Sequence, residues 1–255
     1  MIPLFKSHYS ILRSILTLDP YEKDKDTDLS DSIINIAVEN NLKELCLVED
    51  TMAGFVAALQ ACKDSKIKLI FGLRVSFINS SSEETSLSSH KNIIFPKNLN
   101  GYKTLIKLST MAAYNNFNKE ARLSYSDLHS LWNEDLALAI PFYDSFLHKN
   151  LLQGSLCIPE LKKINPTVFL EDNNLPFDYL IREAALLFAK MNNFKTEEVK
   201  SIYYKNRSDY ETFLTLKCLN RKQFGSGRTL DNPGFDHMSS REFCWESFLE
   251  NKNKK

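Results

Sequence analysis

The sequence lacks three features that would directly indicate a binding surface or a cellular compartment: a net charge, paired cysteines and a long apolar run. Thirty-two basic residues balance 32 acidic residues, so no overall field attracts the chain to nucleic acid or to an acidic membrane. The five cysteines are dispersed without a Cys-x-x-Cys pair, which is typical of a reducing compartment. No apolar stretch approaches membrane-spanning length, and Lys6 and His8 interrupt the first apolar run. We therefore expect a cytoplasmic protein without a signal peptide.

Short apolar runs alternate with helical patterns along the 255 residues. The predicted strands are IPLF, KELCLVED, IKLIFGLRVSF, NIIFPKN, DLALAIPFYDS, PTVFLEDNN and EVKSIYY. The helical patterns include SDSIINIAVENN, with Ser30 or Asp31 as N-cap, and YSDLHSLW, with Ser124 or Ser126 near its start. This alternation predicts a largely parallel sheet, either closed into a barrel or open. The length suits one barrel domain, although two smaller domains would also fit.

Polar and aromatic side chains lie where the predicted strands end. In both closed and open α/β folds the carboxyl ends of the strands form the functional rim, so we expect these side chains to converge. They are Lys6, Ser7 and His8; Glu49 and Asp50; Arg74; Pro141 to Asp144; Glu171 and Asp172; and Tyr203 and Tyr204.

Histidine is scarce and nowhere arranged as a metal-binding motif. The five histidines are His8, His90, His129, His148 and His237. None lies two or four positions from another, so no short metal-binding cluster is present. His8 is predicted at the rim, with His90 close to it. His129 is expected on a short helix facing solvent, His148 and His237 in loops, and each as a lone surface histidine rather than a ligand.

Motifs for other chemistries are also absent. No G-x-S-x-G elbow or P-loop occurs, and the two close glycines of FGSGR follow a helix instead of the strand that a phosphate cradle needs. A Cys–His nucleophile pair has no supporting pattern. Aromatic residues beside basic ones, as in SIYYKNR, are able to stack on single-stranded nucleic acid, but such residues more often belong to a core or an interface.

Several segments in order resemble the amino-terminal PHP domain of bacterial DNA polymerase III alpha subunits. SHYSILRSI follows the first strand, as HSxYS does in that family. LKELCLVEDTMAGFVAALQACKDSKIKLIFGLRVSF is similar to its LALTDH segment, helix and IKPIxGxE segment. FLEDNNLP, YKNRSDYETFLTLKCL and GRTLDNP resemble later family motifs, so the likeness spans roughly residues 2 to 235. The resemblance implies a distorted (β/α)7 PHP-type barrel; an open α/β sheet is the alternative.

The positions where the family carries metal ligands are altered in this chain. PHP enzymes hydrolyse phosphoesters with metal ions that His, Asp and Glu hold at the barrel mouth. The corresponding positions here are Leu4, Lys6, Glu49, Asp50, Arg74, Lys91, Glu171, Ser201 and Tyr203, and Ser7, His8, His90 and Asp144 are predicted to line the rim of the pocket. Protonated Lys and Arg cannot bind a metal. The resemblance therefore implies a site without catalytic residues and without a metal or other cofactor, with Zn²⁺ or Mn²⁺ as the alternative.

The same resemblance implies a role in replication. We expect a non-catalytic module of a polymerase III alpha subunit, or a stand-alone relative, that docks polymerase or proofreading exonuclease subunits and meets DNA only indirectly. The alternatives are a metal-dependent phosphoesterase or 3′–5′ exonuclease, and an unrelated binding protein on the same fold. Residues 1–240 are predicted to form the PHP-like domain, and 241–255 a carboxyl-terminal extension with a partly disordered tail. No membrane contact is expected.

The cations Lys6 and Arg74 at former ligand positions suggest what replaces the metals. Acids left in a partly buried site without their metals would be costly. We therefore expect Lys6 and Arg74 to form ion pairs with the acids Glu49, Asp50 and Glu171. Arg74 is the stronger anchor, because its planar fork can bind carboxylates through two hydrogen bonds. The alternative is that these side chains point outward into water and never meet.

Overall fold

The structure of the protein is a computed structural model. It describes residues 1–19, 31–79, 89–114, 120–154, 157, 159, 161, 163–219, 230 and 239–253. The glycine pair of FGSGR, His237 and most of the polar segment NSSSEETSLSSH at residues 79–90 lie outside the described residues. So do the last two residues of the predicted tail.

Eight strands and eight α-helices are assigned among the described residues. The strands are β1 (Ile2–Phe5), β2 (Glu44–Glu49), β3 (Lys68–Ile78), β4 (His90–Pro96), β5 (Arg122–Ser124), β6 (Leu136–Ile140), β7 (Thr167–Leu170) and β8 (Thr196–Ile202). The helices are α1 (Ile33–Glu39), α2 (Phe55–Asp64), α3 (Leu99–Tyr114), α4 (Tyr125–Leu131), α5 (Phe146–Gln153), α6 (Asp178–Asn192), α7 (Tyr210–Leu219) and α8 (Trp245–Asn253). No described helix is long and apolar enough to cross a membrane.

The strand pairings have the connectivity of a closed barrel. Strands pair in the order β2, β1, β8, β7, β6, β4, β3, β5, and β3 also pairs with β2. Seven strands therefore form a closed ring, and β5 is added beside β3. Strand β4 runs antiparallel to β3 and β6, whereas the neighbours of β1 and β7 run parallel. These pairings confirm the predicted (β/α)7 barrel, and the open-sheet alternative is wrong.

The chain divides into two compact units, each made of separate stretches of sequence. The first unit comprises Met1–Ile70, Asp172–Asp178 and Val199–Lys255. In this unit Phe5 of β1 stacks on Trp245 at the start of α8 with ring centroids 5.5 Å apart. Arg207 forms ion pairs with Glu242, Glu246 and Glu250, which attach the last helix to the segment after β8. The predicted boundary at residue 240 stays a prediction.

The second unit comprises Phe71–Glu171 and Tyr179–Glu198. Its core is aromatic: Phe77 of β3 lies 5.2 Å from the ring of Tyr125, and Phe146 of α5 meets the ring of Phe188 on α6 edge to face, also at 5.2 Å. Apolar residues at helical spacing on α3 and α6 complete the core.

Candidate functional site

Lys6 and Asp50 form an ion pair where two strands of the first unit end. The parallel register sets Phe5 of β1 beside Leu47 of β2, so the residues after both strands meet at one edge of the sheet. Nζ of Lys6 donates to Oδ1 of Asp50 at 2.9 Å, and the Lys6 side chain is only 6% exposed. Nε of Arg13 lies 3.7 Å from Oδ2 of the same acid. Asp50 is therefore neutralised mainly by a buried lysine.

Glu49, the last residue of β2, is fully buried in a cradle of serines. Its Oε1 accepts hydrogen bonds from the Ser7 backbone N–H at 2.9 Å and the Ser7 hydroxyl at 2.6 Å. The Ser10 hydroxyl donates to Oε2 and accepts the Asp50 N–H at 2.8 Å. Burial raises the pKa of Glu49, whereas the Lys6 charge and the serine donors act in the opposite direction. Three of the acid's lone pairs are thus already taken by the protein.

Arg74 is the corresponding cation of the second unit. Its Nη2 donates to Oδ2 of Asp144 at 2.5 Å, and the two side chains are 11% and 33% exposed. Asp144 was expected at the rim but was not among the acids predicted to bind this arginine. The predicted strand IKLIFGLRVSF is confirmed as β3, and Arg74 lies inside it, in register with Ile93 of β4, rather than at its carboxyl end.

Lys91, at another former ligand position, is also engaged by an acid. Its Nζ donates to Oε2 of Glu120 at 2.8 Å and to the Ser76 hydroxyl. Its backbone N–H donates to the Asp144 carbonyl at 2.7 Å. Burial acts to raise the pKa of Glu120, but the Lys91 charge and the donors from Lys91 and Ser76 outweigh burial, and the pKa is lowered. This ion pair therefore favours the ionised acid.

Lys149 on α5 is a further cation near these groups, and the sequence analysis did not single it out. Burial lowers the pKa of Lys149, and the neighbouring charges of Lys91 and Arg74 lower it further, whereas Asp144 and Glu120 raise it. No local motif marks Lys149 or Glu120, because their proximity to the cluster depends on contacts between distant segments.

His90 is a buried core residue, so the prediction of a lone surface histidine is wrong for it. It opens β4 and is 1% exposed. Its Nε2 lies 2.6 Å from the Tyr125 hydroxyl, to which the Asn92 amide donates at 3.0 Å. The Cys157 sulfur lies 3.9 Å from the same histidine nitrogen. The ring packs against Phe146. Aromatic packing and a tyrosine hydrogen bond thus account for this histidine.

The other histidines that the structure describes lie in a turn or on a helix. The His8 side chain is exposed, and its backbone N–H donates to the Leu16 carbonyl at 2.8 Å. His129 lies on α4, as predicted. His148 was expected in a loop but lies on α5, where its Nδ1 accepts the Asp144 N–H at 3.3 Å.

The four remaining former ligand positions lie in or directly after strands β1, β7 and β8. Leu4 is buried and lies in register with Ser201 of β8. Tyr203 follows β8, and its ring stacks on Phe213 and Phe243 with centroids 5.6 and 5.4 Å away. In the second unit Glu171 directly follows β7, as predicted, and is buried.

The donor set does not fit a cluster of divalent metals. Lys6, Arg74 and Lys91 have no lone pair to offer while protonated, and each donates to a carboxylate. Among the described residues, no group of three or more His, Cys, Asp or Glu side chains is placed to hold a metal ion. The arrangement is chemically suited to neutralising acids with protein cations.

Comparison with known proteins gives one family match. The model of the PHP domain matches residues 25–156, more than half of the chain. Among solved structures, a provisionally assigned metal-dependent phosphoesterase from Bifidobacterium adolescentis is similar, with 10% identity and a TM-score of 0.44 over 66% of this chain and 79% of that one. A search of curated proteins finds no match.

The family assignment rests on the domain match, because the likeness to the solved structure is too low to carry an argument. The matched residues run from the segment before α1 to the end of α5 and beyond. They include Glu49, Asp50, Arg74 and Lys91, four of the altered ligand positions. This chain belongs to the PHP domain family.

Proposed function

We propose that this chain is a non-catalytic PHP module that serves as a structural docking part of a bacterial-type replicative DNA polymerase III alpha subunit or of a stand-alone relative. The non-catalytic part of the proposal rests on one arrangement that occurs three times. Three former ligand positions hold cations, and each cation is bound to a carboxylate: Lys6 to Asp50, Arg74 to Asp144 and Lys91 to Glu120.

Electrostatics supports this reading of the ion pairs. A divalent ion at such a position would have to approach a fixed positive charge and take a carboxylate from its present partner. Opposite charges about 4 Å apart attract by roughly 4 kcal/mol at the effective dielectric of a protein surface, and like charges repel by as much. The Lys6 side chain is almost fully buried, so it cannot easily withdraw into water. The acids are therefore better matched to the protein's own cations than to metals.

The replication role is supported by the order of motifs that resemble the polymerase III alpha subunit. The partners proposed are polymerase or proofreading exonuclease subunits, and DNA is met only through them. The balanced charge of the chain agrees with indirect contact, because a protein that binds DNA by itself gains most of its affinity from phosphate contacts by Lys and Arg. Polymerisation itself is not assigned to this chain.

Affinity purification from the source cell tests the docking role. The tagged chain is expected to recover polymerase or exonuclease subunits after nuclease treatment, which removes associations bridged by DNA. Recovery of neither subunit would contradict the replication role. A phosphatase and 3′–5′ exonuclease assay with added Mn²⁺ or Zn²⁺ tests the non-catalytic part separately. Activity that a chelator abolishes would establish the phosphoesterase alternative.

A further inference from the structure

Helix α6 has one buried face and one exposed apolar face. Ile181, Ala185 and Ala189, spaced four residues apart, are buried in the second unit. On the opposite side Tyr179, Leu187 and Met191 are 66, 59 and 77% exposed. The exposed apolar side chains of α6 are Tyr179, Leu180, Leu186, Leu187 and Met191. At about 100° per residue they span roughly 140° of the helix. This width equals that of an ordinary core-facing stripe.

Two opposite charges lie within this exposed face. Glu183 and Lys190 are both exposed, and on the helical wheel they fall between the apolar side chains. The helical neighbours of Glu183 at three and four positions are apolar on both sides. Glu183 and Lys190 are seven positions apart, about 10.5 Å along the axis, so the two charges are too far apart to pair on one helix. We call Glu183, Lys190 and the five exposed apolar side chains the α6 face.

The α6 face is complementary to itself. If two copies pack α6 against α6 in antiparallel orientation, with the two-fold axis between Leu186 and Leu187, Glu183 of each copy lies opposite Lys190 of the other. Leu186 then lies opposite Leu187 of the second copy. Every contact occurs twice, as an isologous interface requires. We propose that the α6 face is a homodimer interface, in which paired leucines are flanked by two symmetric ion pairs.

The charge pattern favours a second copy over other occupants. A membrane surface attracts cations and would disfavour Glu183. A partner of one dominant charge would satisfy only one of the two charges. The equal spacing of opposite charges about the leucine pair is what self-pairing needs. This inference is independent of the proposed function, because none of its residues lies among the former ligand positions.

Charge reversal tests the pairing directly. One helix from each copy buries a small area, so association should be weak. It is best measured by sedimentation up to about 1 mM, the dissociation constant of a complex worth about −4 kcal/mol. The native chain should dimerise. Glu183→Lys and Lys190→Glu should each weaken the dimer about tenfold or more, because each places like charges opposite each other twice. The double variant, with both charges reversed, should restore native association. Because both residues are exposed, circular dichroism and thermal unfolding of every variant should match the native chain at a dilution where all of them are monomeric.

The proposal is overturned if the native chain stays monomeric throughout, if the single reversals leave the dimerisation constant unchanged, or if the double variant fails to recover. A fourth result concerns another partner. If the native chain is monomeric and binds a polymerase or exonuclease subunit, and Leu187→Ala weakens that binding, the α6 face belongs to that partner and the dimer proposal is overturned.

Discussion

Replacing Lys6 with Met removes the charge of a buried cation while keeping most of its packing, so it measures what the charge contributes to stability. Methionine has nearly the length of lysine and an apolar stem, so it can fill the same space. The substitution removes the donor to Asp50 at 2.9 Å. What remains near that acid is Arg13, whose Nε is 3.7 Å away and whose side chain is 42% exposed. Glu49 keeps its serine donors but loses the neighbouring lysine charge.

The burial of the pair sets the expected magnitude. Removing one partner of a fully buried ion pair costs about 3–5 kcal/mol, because the other charge stays buried. The Asp50 side chain is 21% exposed, and Arg13 supplies part of the compensation. We therefore expect Lys6→Met to lower the free energy of unfolding by about 2–3 kcal/mol. For a chain of this size the melting temperature should fall by roughly 4–12 °C.

The loss should depend on pH in a defined direction. The Lys6 charge opposes the effect of burial on Glu49, so removing it raises the pKa of this acid further. When the folded-state pKa of an acid exceeds its unfolded-state pKa, the acid contributes stability at a pH below the unfolded-state pKa, here 4.5. That stability is lost as the pH rises through the folded-state pKa. Lys6→Met should therefore destabilise more at about pH 7 than at about pH 5.

Urea denaturation followed by circular dichroism measures both effects, and Lys68→Met is the matched control. Lys68 donates to Glu44 at 2.7 Å in the same unit, but the two side chains are 71% and 52% exposed. The control should cost less than about 1 kcal/mol despite the shorter distance. The reasoning is refuted if the two substitutions cost the same, or if Lys6→Met is harmless.

Three further substitutions probe the second unit. Arg74→Ala leaves a carboxylate without its main cation and should lower the free energy of unfolding by about 2–4 kcal/mol. Its control Arg182→Ala removes a pair in which both side chains are about one-third exposed and should cost less than about 1 kcal/mol. Equal losses of stability in urea denaturation would contradict the role of burial. Tyr125→Phe should cost about 1–3 kcal/mol, because the buried Asn92 amide loses its acceptor, and a neutral result in the same assay would show that the hydroxyl network is dispensable.

Local sequence signals predicted much of the fold correctly. The run IPLF and the strand β1 coincide, and β2 ends at Glu49, where the pattern places the first acid. The Ser124 hydroxyl accepts the Asp127 N–H at 3.0 Å and opens α4. At α1 the N-cap is Ser32, one or two residues beyond the prediction, because several capping residues stand in a row there. Caps and strand ends depend on adjacent residues, which the sequence displays.

The partners of the cations could not be predicted in the same way. Arg74 and its partner Asp144 are 70 positions apart, and Lys91 and Glu120 are 29 apart, so only the fold brings them together. His90 was misjudged because polar residues precede it and suggest a loop. The aromatic side chains that bury it, among them Phe146, come from distant elements. Periodicity locates an element, but it does not say which side chains meet across elements.

Metal binding by the purified chain tests the central claim most directly. The chain is prepared without chelator, equilibrated with Zn²⁺ or Mn²⁺, freed of loosely held ions by gel filtration, and measured by elemental mass spectrometry. Because protonated Lys6, Arg74 and Lys91 occupy former ligand positions and bind the neighbouring acids, we expect far less than one ion per chain. Retention of one or more ions per chain, together with phosphoesterase activity that EDTA abolishes, would contradict the account.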